Sequence, residues 1–194
     1  MSASTPSFDL GDVEKLAPVK SHLVQTTHRA SYPSLSPLRP ELNQSGKTVL
    51  VTGGSAGIGF AIAKAFAEAS ASKVILTGRR SDVLQQAASR LSSLFTKTEF
   101  LARECDIGNL AESAALWSGL RTDGIFVDVL VLNAAKFHGQ QTLLEVDVGE
   151  AWSLYETNVR ALLDFSQRLH AQEGSVDRPK VCTAYIAIYY NPRG

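Results

Sequence analysis

The sequence predicts an α/β fold, a doubly wound parallel sheet with helices on both faces, and three observations carry that expectation. A short apolar run, Thr48-Val49-Leu50-Val51, ends in a cluster of glycines, as a buried parallel strand does where it turns into a helix. Apolar residues Ile58, Ile62, Ala65, Phe66 and Ala69 follow at three- and four-residue spacing, so that one helical face can pack on the sheet. The same alternation then recurs along the chain. Strands separated by helices of about ten or more residues form right-handed βαβ crossovers, which make the sheet parallel.

Taken in order, residues 1–45 are rich in Ser, Thr and Pro and hold five of the seven prolines (Pro6, Pro18, Pro33, Pro37 and Pro40). They show no sustained periodicity and are expected as an extended arm, with Phe8 and Tyr32 as the aromatic residues able to pin it. The domain runs over 46–183. Its expected elements are a strand at Thr48–Val51, the helix of Ile58 to Ala69, a strand at Val74–Leu76 and a helix from Ser81 to about Leu94. A strand around Phe100-Leu101, a helix from about Asn109 to Leu120 and a strand at Val127–Leu132 continue the pattern. One long helix, roughly Val148 to Ala171, and a last strand from Val181 complete it, before a divergent tail at 184–194. In this fold the ligand lies outside the carboxyl ends of the strands, beside the first one.

Composition limits the function classes. At 194 residues, with 44% hydrophobic and 20% charged residues, the chain suits one globular domain. Lys plus Arg and Asp plus Glu both total 19, so no global field draws it to nucleic acid or acidic membranes, and phosphate recognition has to be local. Cys105 and Cys182 lie far apart without metal-ligand spacing, and read as small apolar residues in a reducing compartment. No stretch approaches the roughly 20 apolar residues of a membrane span. The N-terminus lacks a secretory pattern and the last residues are no organelle address, so a cytoplasmic protein is expected.

At the end of the first strand the sequence reads Thr52-Gly53-Gly54-Ser55-Ala56-Gly57-Ile58-Gly59. Gly53 lets the chain turn sharply off the strand, Gly57 removes a side chain where a pyrophosphate has to approach, and Gly59 lets the helix pack closely on the sheet. Backbone N–H groups and the helix N-terminus then favour an anion. The alternative is a glycine-rich turn without a ligand.

Thr-Gly-x-x-x-Gly-x-Gly in this place resembles the fingerprint of the short-chain dehydrogenases/reductases, NAD(P)-dependent oxidoreductases with a Rossmann-type sheet. The resemblance runs from residue 46 to about 183, and Tyr32-Pro33 with Arg39-Pro40-Glu41-Leu42 is similar to the N-terminal segment of fungal members. It implies cofactor contacts from Thr52, Gly53, Ser55, Gly57, Ile58 and Gly59. At the second strand end, Leu76-Thr77-Gly78-Arg79-Arg80 places Gly78 where NAD-specific members hold an acid. Arg79 follows with a fork of donors suited to a 2'-phosphate, so NADP is expected ahead of NAD. Two solvated arginines are the alternative.

The resemblance further implies that Asp106 accepts from the adenine amino group and that Ile107 packs on the ring, although Asp106 equally suits a helix cap or turn. Leu132-Asn133-Ala134-Ala135 is similar to the family's Asn-Asn-Ala-Gly, with Leu132 and Ala135 replacing its first Asn and its Gly. Asn133 is expected as a brace of the sheet beside the cofactor. Trp152 to Val159 resembles the segment carrying the catalytic Asn, which matches Asn158, on a helix that often serves dimerisation in the family.

The family also needs a Ser at the end of the fifth strand and a Tyr-x-x-x-Lys pair, in which the ammonium lowers the Tyr pKa. Here the strand reads Lys180-Val181-Cys182-Thr183-Ala184-Tyr185-Ile186, and no Ser or Thr follows Thr183. None of Tyr32, Tyr155, Tyr185, Tyr189 and Tyr190 has Lys four residues on; Tyr189 has Arg193, with Pro192 opposing a helix between them. His22, His28, His138 and His170 form no ligand cluster, and no metal site is expected.

Three readings stay open. The chain is an NADP(H)-dependent alcohol/ketone oxidoreductase truncated before its Tyr-Lys pair, an inactive module that retains the cofactor, or a nonfunctional fragment with an uncovered sheet edge.

Overall fold

The computed structural model describes residues 32–137, 144–173 and 179–184. The chain divides into two compact units, Met1–Ser36 with Ile188–Gly194 and Pro37–Ala187. Of the first, the described residues hold a 3-10 turn at Pro33–Leu35. Most of the expected arm and all of the tail beyond Ala184 lie outside the described residues.

The second unit is a five-stranded parallel sheet: β1 (Thr48–Thr52), β2 (Lys73–Gly78), β3 (Glu99–Glu104), β4 (Val129–Leu132) and β5 (Val181–Ala184). Their spatial order is β3-β2-β1-β4-β5. The chain therefore steps outward from β1 to β3 and then returns to the other side of β1. That reversal opens a crevice between the carboxyl ends of β1 and β4, the switch point of a doubly wound sheet.

The period of two along each strand builds two cores. Val49, Val51, Val74, Leu76, Val129 and Val131 face one side, under α1 (Gly57–Glu68) and α2 (Ser81–Leu94). Leu50, Ile75, Leu130 and Leu132 face the other, under α3 (Leu110–Thr122) and α5 (Ala161–His170). There Trp117 meets Phe165 edge-on at 6.0 Å between ring centroids, the geometry that aromatic quadrupoles favour.

Two expected elements differ in the structure. The inward face of α1 is Gly59, Ala63 and Ala67, whereas Ile58 is 44% exposed and Phe60, Ile62 and Phe66 pack from the flanks. The helix lies close to the sheet, and small side chains fit beneath it where the larger ones of the apolar pattern do not. The long helix is interrupted: α4 (Val148–Tyr155) passes through a π-helical turn, Glu156–Arg160, before α5 begins. The tether that accompanies this turn belongs to the site below.

Two smaller differences concern edges. β4 starts at Val129; just before it the Asp128 carboxylate accepts the Thr48 N–H at 2.8 Å, while the Asp128 N–H donates to the Thr48 carbonyl and its carbonyl accepts from Val181. β3 extends over Glu99–Glu104, and its charges pair outward as Lys73–Glu99 and Arg103–Asp123, which blunts the edge against further strand pairing. Before β1, the Gln44 N–H donates to the Ala69 carbonyl and the Gly46 N–H to Ser72 Oγ, so the end of the predicted arm is tied to the loop after α1. No described helix is long and apolar enough to cross a membrane.

Candidate functional site

The turn after β1 is built from left-handed glycines. Gly53 has φ +65° and Gly57 φ +55°, values that side-chain-bearing residues avoid at a cost of about 1–2 kcal/mol. The N–H groups of Gly53 and Gly54 both donate to the Thr77 carbonyl of β2, which folds the turn back over the sheet. A Cβ on Gly57 would meet nothing within 4 Å, whereas one on Gly59 would collide with the Gly53 carbonyl oxygen and lie 2.6 Å from Asn133 Nδ2. Gly59 thus serves the close approach of α1 to the turn itself, and Gly57 faces open space.

The start of α1 lacks an internal anion. Its N-cap, Ala56, offers no side-chain bond and its first turn holds no acidic residue. By contrast, Asn109 caps α3 through the N–H groups of Ala111 and Glu112, and Asp147 caps α4 through Gly149 and Glu150. A helix N-terminus without a side-chain acceptor, beside a glycine that leaves its front open, fits a phosphate group.

Thr52 stands differently from its expected role. Its hydroxyl is fully buried, donates to the Val131 carbonyl at 3.3 Å and accepts from the N–H groups of Asn133 and Ala134 at 2.9 and 3.0 Å. All its capacity is spent in joining the ends of β1 and β4, so Thr52 belongs to the frame of the site and not to its lining. Asn133 completes this brace, with Nδ2 donating to the carbonyls of Thr52 and Gly53 at 3.0 and 3.3 Å. Ser55 sits half-buried within the turn.

At the end of β2, Arg79 is exposed. The nearest atoms to a Cβ on Gly78 would be the Leu84 side chain at 3.8 Å, so there is room for a larger residue where the glycine stands. In the loop after β3, Asp106 Oδ1 accepts the Gly108 N–H at 2.9 Å, the contact of a turn former. Ile107 departs from its expectation: at 4% exposure it belongs to the core around Leu50 and Trp117, leaving little surface for a ring to cover. Next to it Cys105 is fully enclosed. Burial, and then the negative charge of Glu112, push its thiol up to about 11, so it stays protonated and unreactive.

Asn158 lies inside the π-helical turn, a feature that often marks functional positions. Its Oδ1 accepts the Lys136 N–H at 2.8 Å and its Nδ2 donates to the Lys136 carbonyl at 2.7 Å, which ties the turn to the segment leaving β4. Two further contacts draw neighbouring elements together: Arg160 donates to the Gly108 carbonyl at 2.7 Å, and Lys136 Nζ to Ser153 Oγ at 2.6 Å. Lys136, Ser153, Gly108 and Arg160 carry no local sequence signal, because each acts on a partner tens of residues away or across a helix turn.

Thr52, Gly53, Gly59 and Asn133 therefore form one contiguous frame, and the chain leaving it through Ala134, whose N–H donates to the Thr52 hydroxyl, leads to Lys136 and its partner Asn158. Asp106 joins it through Gly108 and Arg160, and Arg79 stands at the end of the neighbouring strand. Tyr185, Ile186, Tyr189, Tyr190 and Arg193 lie outside the described residues, as do His22, His28 and His138. Among the described residues no cluster of His, Cys, Asp and Glu suits a metal ion.

Comparison with known proteins gives concordant findings. Residues 47–175 match the short chain dehydrogenase family. The chain is 33% identical over 137 residues to the short chain dehydrogenase/reductase AacuD of Aspergillus aculeatus, covering 71% of this chain and 46% of the relative. It is 30% identical over 168 residues to a short chain dehydrogenase/reductase of Claviceps purpurea, covering 87% and 56%. Among solved structures it resembles L-sorbose reductase from Gluconobacter frateurii complexed with NADPH and L-sorbose, with TM-score 0.59 and 31% identity over 66% of this chain and 47% of that one. The chain spans about half the length of the curated relatives it matches.

Proposed function

Because the chain belongs to the short-chain dehydrogenase family, we propose that it binds NADP(H) at the glycine turn and serves an oxidoreductase that interconverts a secondary alcohol and a ketone. The observation that carries this reading is the start of α1, where open space before Gly57 adjoins a helix N-terminus without a capping side chain. The pyrophosphate would lie there, held by backbone N–H groups and the helix dipole. Arg79 would hold the 2'-phosphate, and Gly78 leaves its approach free of the acid that repels it. Asp106 would meet the adenine amino group with the carboxylate oxygen that Gly108 does not use. The NADPH in the sorbose reductase complex supports the phosphorylated form.

The dinucleotide, when bound, supplies the hydride. Asn158 would orient the nicotinamide end by holding the segment after Asn133 in place. Two unpaired cysteines support a reducing compartment such as the cytoplasm.

Titration with NADPH and NADH by fluorescence tests the cofactor assignment. NADPH is expected to bind more tightly; Arg79→Ala should weaken it about tenfold to a hundredfold while leaving NADH unchanged, the value of one charge-assisted contact. Gly78→Asp, which the space around Leu84 admits, should lower NADPH affinity and spare NADH. Equal affinities of the unaltered protein for both nucleotides would remove the role given to Arg79.

A further inference from the structure

Lys136 is placed unusually for a surface lysine. It follows β4 by four residues, on the carboxyl edge of the sheet, three positions beyond the Asn133 that braces the glycine turn. Asn158 fixes its main chain from both sides, at N–H and carbonyl, so the side chain starts from a pinned point. The ammonium is partly buried and donates one proton to Ser153 Oγ at 2.6 Å. The Ser153 hydroxyl itself donates a hydrogen bond to the Glu150 carbonyl, which leaves its oxygen oriented to accept.

An ammonium carries three donors, and no ion pair engages Lys136 among the described residues. Lys64 and Lys73 instead pair with Glu68 and Glu99. Taking a cation partly out of water without a counter-ion is unfavourable, and the imbalance is relieved by an anion arriving from outside. The nucleotide phosphates already have recipients in the start of α1 and in Arg79. A molecule bound beside the dinucleotide would be a further source of negative charge at this edge.

We infer that Lys136 is a specificity-determining residue that binds an anionic group on the substrate, so that the protein favours carbonyl compounds bearing a carboxylate over neutral ones. Its placement beside the substrate rests on the cofactor reading above; its preference for an anion does not. Ser153 is a positioning residue that aims the ammonium, and Asn158 holds the segment that carries it.

The test measures binding of acetoacetate and of its neutral methyl ester by calorimetry, in the presence and absence of NADPH, for the unaltered chain, Lys136→Met and Lys136→Arg. The acid should bind about tenfold more tightly than the ester, as for one charged hydrogen bond. Lys136→Met should abolish the difference, Lys136→Arg should keep most of it, and the NADPH affinity of Lys136→Met should stay within about threefold of the original. Equal binding of acid and ester, or a preference that survives in Lys136→Met, would overturn the inference. So would a Lys136→Met protein that loses NADPH while keeping its preference, since the lysine would then serve a nucleotide phosphate. A Lys136-dependent preference in a protein that takes up no NADPH would support the inference and defeat the cofactor reading alone.

Discussion

Gly59→Ala is expected to melt about 6–12 °C below the unaltered protein and to lose NADPH binding. The added methyl would collide with the Gly53 carbonyl oxygen and stand 2.6 Å from Asn133 Nδ2. Neither neighbour can yield easily. The oxygen belongs to a turn already held at φ +65°, and the amide bonds to the carbonyls of Thr52 and Gly53. Overpacking typically costs about 1–3 kcal/mol, and a clash with backbone belongs at the top of that range. For a chain of this size each kcal/mol shifts the midpoint by about 2–4 °C. Moving α1 away from the turn would relieve the clash but would also misplace the N–H groups proposed to hold the pyrophosphate. Gly57→Ala is the informative partner: its Cβ meets nothing within 4 Å, so it should cost only the strain of its positive φ, about 1–2 kcal/mol, while still obstructing the anion. Calorimetric melting and NADPH titration of both variants check the pair, and a Gly59→Ala protein of unchanged midpoint would contradict the packing described.

Thr52→Val is expected to destabilise the protein by about 3 kcal/mol, through loss of hydrogen bonding and with little change of volume. The hydroxyl accepts from two backbone donors, Asn133 and Ala134, and donates to the Val131 carbonyl. Valine keeps the shape and removes all three bonds, and each buried group left without a partner costs about 1–3 kcal/mol. The released segment is the one that carries Asn133 and leads to Lys136, so nucleotide affinity should fall with stability. Thr52→Ser preserves the bonds and should melt close to the unaltered protein. Denaturant unfolding of both separates the effect of the hydroxyl from that of the methyl; a valine variant as stable as the serine one would dismiss the brace.

These two predictions rest on residues whose roles the sequence discloses unequally. The apolar runs that became β1 to β5 and the glycine cluster after Val51 are local patterns, and fold class follows from them without any distant contact. On α1 the apolar spacing finds Ile62, Phe66 and Ala69, which do pack or lie buried, but it also includes the exposed Ile58 and passes over Gly59, Ala63 and Ala67, which contribute little hydrophobic signal. Helical periodicity rewards large residues, whereas close packing on a sheet selects small ones. Thr52 is conspicuous in the motif, but only the register of β1 beside β4 reveals that its hydroxyl is used inside the frame. Ile107 follows Asp106 in the pattern of a ring contact, yet its side chain is drawn into the core beneath α3. The π-helical turn and the tether of Asn158 to Lys136 span 22 residues, and no windowed pattern contains both ends.

The central claim, that a dinucleotide phosphate sits on the start of α1, is tested most directly by following backbone amide resonances during an NADPH titration. Gly57, Ile58 and Gly59 are expected to show the largest saturable shifts, with Arg79 responding to the 2'-phosphate. Ala111 and Glu112, whose N–H groups are already capped by Asn109, should stay in place. Saturation that leaves Gly57 to Gly59 unmoved, or that moves the capped start of α3 more strongly than the open start of α1, would contradict the account.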